Sequence, residues 1–324
     1  METPATTFAP VIKFRFGADV RDAEGAGATL VNVILSATDA HAIAALGVRF
    51  GLFGRPVYTP VERVTAATAH DIELSATRAE IEKDALQPEG LRLSGVAVTQ
   101  HGKRLGKLAQ VSFNADTHAL WRLVIDRGIS GEVVIPASGV EQITASGVAL
   151  TPPSGGVGVT MTPWRPDHEL REDVVRAIES YNRLRVDIEG VNVTAIDGVV
   201  WLRGFVSSDL NRRLIGDLVS EVHGIGELHN ELITDPDLAA AISRALARDP
   251  RTAEERIGVY PTLGRVHLRG AVRTAAAREA AEQLANGVPG VGEVINQLHV
   301  SADANVLPVM AGVTNTEDVV PGGR

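Results

Sequence analysis

A nine-residue run from Gly198 to Val206, Gly-Val-Val-Trp-Leu-Arg-Gly-Phe-Val, returns 66 residues later from Gly264 to Val272 as Gly-Arg-Val-His-Leu-Arg-Gly-Ala-Val. The register then holds without a gap. Val222, Gly224, Gly226, Glu227, Asn230 and Leu232 reappear at the same offset as Val288, Gly290, Gly292, Glu293, Asn296 and Leu298. Agreement over that distance marks a duplicated unit, so the C-terminal half folds as two copies of one small module.

Each copy reads as helix, two strands, helix, strand. Pro166-Asp167 precedes a stripe of Leu170, Val174, Val175 and Ile178, and Asp235-Pro236 opens the matching stripe of Leu238, Ile242 and Leu246. Proline is tolerated in the first turn of a helix. Val191–Ile196 and Val199–Val206 alternate apolar positions around Asp197-Gly198, a short hairpin signal that the second copy replaces with Thr262-Leu263-Gly264. Ser208 is placed to cap a helix whose apolar face holds Leu210, Leu214, Ile215, Leu218, Val219 and Val222. Gly224 is expected to stop that helix, ahead of a last strand at 228–233.

The N-terminal half carries a fainter duplication. Asp39, His41 and Ala42 correspond to Asp116, His118 and Ala119, and the run 61–65 corresponds to 140–144. Short β-favouring runs such as 120–126 and 132–136 are separated by turn residues and predict small barrels. The expected fold is therefore multidomain, two small all-β barrels followed by two α+β modules of order α-β-β-α-β. Its divisions are an arm (1–13), β repeats at 14–84 and 88–151, a linker (152–167), modules at 168–234 and 235–301, and a disordered Pro/Gly/Asn-rich tail (302–324).

Composition narrows the function. Aromatics are only 4% of the 324 residues, so Val, Leu, Ile and Ala must fill several small cores. The absence of cysteine excludes disulfides, thiolate metal sites and cysteine nucleophiles. No apolar run approaches 18 residues, and the first ten residues lack a basic stretch, so neither a membrane span nor a secretory signal is expected. The expected location is the cytoplasm, with peripheral attachment at the inner membrane as the route to any membrane contact. A net charge of −9 argues against nucleic acid as a partner.

The strand pattern V-x-L-x-G-x-V followed by V-x-G-V-x-x-V-x-N-x-L, at Val200–Val206 with Val222–Leu232 and at Val266–Val272 with Val288–Leu298, resembles the BON domain of bacterial proteins. Gly95–Leu150, through Gly106-Lys107-Leu108-Ala109-Gln110-Val111 and Val133-Val134-Ile135-Pro136, is similar to the PRC-barrel, and 17–75 more distantly so. The first resemblance implies attachment to phospholipid or envelope surfaces, or potassium binding as in one cytoplasmic BON family. The second implies docking onto protein or RNA. Neither implies a catalytic residue set or a cofactor.

Motifs that could carry chemistry fail on context. Gly102-Lys103-Arg104-Leu105-Gly106-Lys107-Leu108 has too few residues between its glycines for a phosphate loop, and Leu108 stands where a hydroxyl would hold magnesium. What remains is a basic turn, Lys103, Arg104 and Lys107, as a candidate anion site. Gly224-Ile225-Gly226 and Gly290-Val291-Gly292 follow a helix and precede a strand, the reverse of a dinucleotide turn. The nine histidines show no metal-ligand spacing, and His41 and His118 read as turn or rim residues.

Strand alternation supplies the main candidates. Val200 and Leu202, like Val266 and Leu268, must face the helices, so Trp201 and Arg203, and Arg265, His267 and Arg269, point to a face without a helix, a row continuing to Arg273. An aromatic beside cations suits anionic headgroups or a protein partner. Packing against a neighbouring module or a second subunit is the competing use of that face. The leading expectation is a non-enzymatic adaptor that binds a protein partner or phospholipid surface. A potassium or small-ligand sensor and a self-assembling structural protein, a homo-oligomer, stay open beside it.

Overall fold

A computed structural model describes residues 11–87, 89–151, 161–180 and 190–302. The expected arm and linker fall partly outside these residues, and the expected tail almost wholly so. Contacts divide the chain into two compact units. One takes Met1–Ala177, Val193–Trp201 and Ser220–His229, and the other Ile178–Asn192, Leu202–Val219 and Asn230–Arg324.

Both β repeats build the same sheet. In the first, the strands stand in the order Val57–Pro60, Ile43–Phe50, Gly27–Ser36, Asp19–Arg21, Asp71–Leu74, Val64–Ala67. The second repeats that order with Glu132–Pro136, Leu120–Asp126, Lys103–Asn114, Ala97–Gln100, Gly147–Leu150 and Val140–Thr144. Each sheet has one parallel pair, Asp19–Arg21 with Asp71–Leu74 and Ala97–Gln100 with Gly147–Leu150.

Neither sheet closes into the expected barrel. Its two end strands are consecutive in sequence but joined through a single 3-10 turn, Val61–Arg63 or Ala137–Gly139, with no ladder between them. Pro60 and Pro136 end the outer strands and lack the N–H that a closing ladder would need. In the second sheet the outer edge is instead taken by Thr162–Pro163.

The repeats also exchange strands. Val11–Arg15 pairs antiparallel with Asn114 to Gln110 of the second sheet, and Gly90–Arg92 pairs with Ser36 to Ile34 of the first. Between them, Ala42 bridges Ala119: the Ile43 N–H donates to the His118 carbonyl at 3.1 Å, and the Leu120 N–H to the His41 carbonyl at 2.6 Å. His41 and His118 thus sit at a local pseudo-twofold. One apolar core results, running from Phe14 to Leu150, in which the Phe14 and Phe113 rings lie 6.1 Å apart.

The C-terminal half has the expected order twice: Asp167–Glu179, Val191–Ile196, Val199–Val206, Asp209–Ser220, Glu227–Thr234, then Asp235–Arg248, Arg256–Thr262, Arg265–Val272, Ala275–Asn286, Glu293–Val300. The strand carrying V-x-L-x-G-x-V is central in each three-stranded sheet. In the second module Leu238, Ile242, Leu246, Val266, Leu268, Val272, Ala281 and Leu298 form one buried cluster. Of the expected apolar face of Asp209–Ser220, Ile215 and Val219 are buried, whereas Leu210 in the first turn is exposed.

The repeated glycines and asparagines have visible causes. Gly204 and Gly270 hold φ of 115° and 125°. A β-carbon there would lie 1.7 Å from the Gly190 carbonyl oxygen and 2.5 Å from that of Arg256, so the neighbouring strand admits only glycine. Asn230 and Asn296 each donate from the side-chain amide to a helix carbonyl, Arg212 at 2.9 Å and Arg278 at 3.1 Å, tying the last strand to the second helix. Gly224 and Gly290 lie four residues past helices that end at Ser220 and Asn286, so they shape the turn that follows the helix and do not stop it.

Candidate functional site

The first module's candidate aromatic is half-buried in a ring stack. The Trp201 ring stacks on Trp121 at 6.3 Å and 25°, and on His229 at 5.3 Å and 10°. Arg122 lies over Trp121 at 5.0 Å and donates to Glu227 at 2.7 Å, and Glu227 also meets His229 Nε2 at 2.8 Å. Burial pulls the Arg122 guanidinium below its ordinary value against the opposing charge of Glu227. Val199 is buried as well. Packing therefore occupies the face on which Trp201 was expected to meet a ligand. Arg203 donates to Glu231 at 2.6 Å.

A buried polar cluster sits beside it. Asp197, at φ 45° in the hairpin turn, accepts from Lys13 Nζ at 2.9 Å, Gln110 Nε2 at 3.2 Å and Ser112 Oγ at 2.6 Å. Lys13 also pairs with Asp167, whose carboxylate accepts the Asp197 N–H at 2.9 Å. Burial pushes the Asp167 carboxyl above its ordinary value, against the pull of Lys13. In the second module Asp235 accepts the Leu263 N–H at 2.8 Å in the same way, but Leu263 replaces the aspartate. Sequence reasoning missed this cluster. The available signal was Gln110 and Ser112 alternating with buried Val111 and Phe113 in one strand.

The second module's sheet face holds the remaining candidates. Register places Thr262, Arg265 and Glu293 in one row, Tyr260, His267 and Ile295 in the next, and Gly258, Arg269 and Gln297 in the third. Arg265 pairs with Glu293 at 2.9 Å, and Arg273 with Glu254 and Glu255 at 3.0 Å each. Hydrogen bonding, first to Glu255, raises the Arg273 guanidinium above its usual value. The expected row of cations is thus partly neutralised. Arg269 donates to the neutral Gln297 at 2.9 Å and lies over the Tyr260 ring at 5.4 Å. Tyr260 is 53% exposed and lies across Gly258, where a β-carbon would be 2.7 Å from its ring. Among the described residues no carboxylate pairs with Arg269 or Arg256. His267 is half-buried, and its Nδ1 has no partner among the described residues.

Lys103, Arg104 and Lys107 lie on the strand Lys103–Asn114, after the His101-Gly102 turn and not within it. They are exposed and form no ion pair among the described residues. Gly106 sits at a bulge facing the Asp126 carbonyl, so the segment is the start of an interior strand and makes no phosphate cradle. Among the described residues no group of three or more His, Asp or Glu could hold a metal ion, and no helix is long and apolar enough to cross a membrane.

These geometries define tandem α-β-β-α-β modules behind a duplicated β half. Residues 166–236 and 234–302 each match the BON domain family, so the C-terminal half carries two BON domains. A comparison with curated proteins returns no match. Among solved structures, the chain is similar to the C-terminal domain of CdsD, a structural protein of the type III secretion system of Chlamydia trachomatis. Identity there is 14% and the TM-score 0.36, over 42% of this chain and 68% of that one. A second CdsD structure matches at 16% identity and a TM-score of 0.33, covering 42% and 62%.

Proposed function

We propose that this chain is a non-enzymatic scaffold whose second BON domain docks on an anionic phospholipid surface through its uncovered sheet face. The observation that carries this reading is the pair of Arg269 and Tyr260, a guanidinium with no carboxylate partner among the described residues, lying on a half-exposed aromatic ring. Arginine binds phosphate through its planar fork, and a tyrosine ring suits the boundary between water and lipid. The BON match supports a membrane-directed role. In the first BON domain the matching face is occupied by the Trp121–Trp201–His229 stack, which leaves the second as the contact. The β half is read as PRC-barrel-like in its duplicated strand order, serving as the body that carries the BON pair.

Co-sedimentation with vesicles containing phosphatidylglycerol tests the assignment. Arg269→Glu combined with Tyr260→Ala should weaken binding about tenfold or more, the effect of losing one charged and one aromatic contact near a bilayer. Arg265→Gln, at an exposed residue already paired with the exposed Glu293, should change it little. Equal binding by the Arg269/Tyr260 variant and the parent would contradict the reading.

A further inference from the structure

The turn Gly51–Arg55 joins the strands Ile43–Phe50 and Val57–Pro60, and it presents Leu52 at 83% and Phe53 at 98% exposure. Nothing in folding accounts for two adjacent large apolar side chains in water. Gly51 holds φ of 70°, and a β-carbon on Gly54 would lie 2.2 Å from the Phe50 carbonyl oxygen. Glycines on both sides therefore keep the turn tight and the pair at its tip.

Within the turn's own segment the charge is one-sided, although the neighbouring turn 22–26 carries Asp22 and Glu24, and Arg78 over the Phe50 ring is paired with Glu82. Arg49 and Arg55 flank the tip, neither forms an ion pair among the described residues, and no Asp or Glu occurs from His41 to Pro60. The equivalent turn of the second repeat, between Leu120–Asp126 and Glu132–Pro136, exposes Ile129 fully but is bracketed by Asp126 and Glu132. That second turn also holds Arg127, and its Glu132 is paired with Arg15, so its charges cancel, whereas the first tip carries two arginines and no carboxylate in its own segment.

We infer that Leu52 and Phe53 form a bilayer-inserting tip, with Arg49 and Arg55 at its base contacting lipid phosphates. Two side chains on a projecting turn are too small a patch for a stable protein interface, which needs about 800 Å² from each partner. Apolar side chains entering the acyl boundary beside arginines at headgroup level form a compact membrane contact. The inference rests on the reading of the chain as phospholipid-binding and adds a contact point in the β half, separate from the BON face.

The test is flotation of the full chain with vesicles of phosphatidylglycerol and phosphatidylcholine, or of phosphatidylcholine alone. Leu52→Ser with Phe53→Ser, and separately Arg55→Glu, should lower recovery on the anionic vesicles about tenfold, with an unchanged thermal melt because these side chains are exposed. Ile129→Ser should float like the parent. The chain has no cysteine, so Phe53→Cys can carry a polarity-sensitive dye, whose emission should shift to the blue on anionic vesicles. If the Leu52/Phe53 variant floats normally while the Arg269/Tyr260 variant does not, the inserting tip is overturned and the BON face stands. The opposite pattern overturns the BON face alone. A parent chain that does not float, or a dye at position 53 that stays in water on bound protein, overturns the tip.

Discussion

Asp197 accepts hydrogen bonds from three side chains, Lys13, Gln110 and Ser112, with none of its own surface in water. Removing one partner from a buried ion pair leaves an uncompensated charge, which costs about 3–5 kcal/mol. Lys13→Met should therefore lower unfolding stability by roughly that amount in urea titration. Adding Asp197→Asn should recover part of the loss, because asparagine tolerates the left-handed turn and carries no charge. A Lys13→Met protein as stable as the parent would contradict the assignment. Asp197-Gly198 was legible in the sequence as a hairpin turn. Its partners were not, since Lys13 lies 184 residues away and reads locally as a charge interrupting an apolar run. The packing of Trp201 was hidden for the same reason: alternation gives the side of the strand, but the distant Trp121 decides how far that side is open.

At the scale of elements, the BON signature is a record of close approaches. Gly270 faces the Arg256 carbonyl across the hairpin, and its φ of 125° is strained for any L side chain. Gly270→Ala should destabilise the second BON domain by at least about 2 kcal/mol. Hydrogen exchange would show faster opening of Arg256–Thr262 and Arg265–Val272, and unchanged protection there would count against this account. The three tryptophans all lie in the other unit, so their fluorescence would miss the effect. The order of elements was readable because each helix and strand writes its own period. Closure of the β repeats was not, because strand partners are a long-range choice. Val11–Arg15 and Gly90–Arg92 each pair in the sheet of the other repeat, which no local pattern announces.

For the whole molecule, a net charge of −9 makes any attraction to an anionic bilayer local, confined to points where arginine lacks a carboxylate partner. The outward placement of Arg269 on its sheet was legible from strand alternation. The exposure of Leu52 and Phe53 was not, because exposure of apolar residues in a turn is visible only once the strands on either side are paired. Local contacts of this kind should bind reversibly and respond steeply to salt and lipid charge, since each arginine near the surface contributes about 1 kcal/mol within a Debye length. The most direct measurement is the fraction of parent chain bound to vesicles as phosphatidylglycerol content is raised from zero, at low and at high salt. Binding that is absent on neutral vesicles, rises with anionic lipid and falls with salt is the predicted result. Absence of binding at every lipid composition, or binding indifferent to lipid charge, would contradict the account.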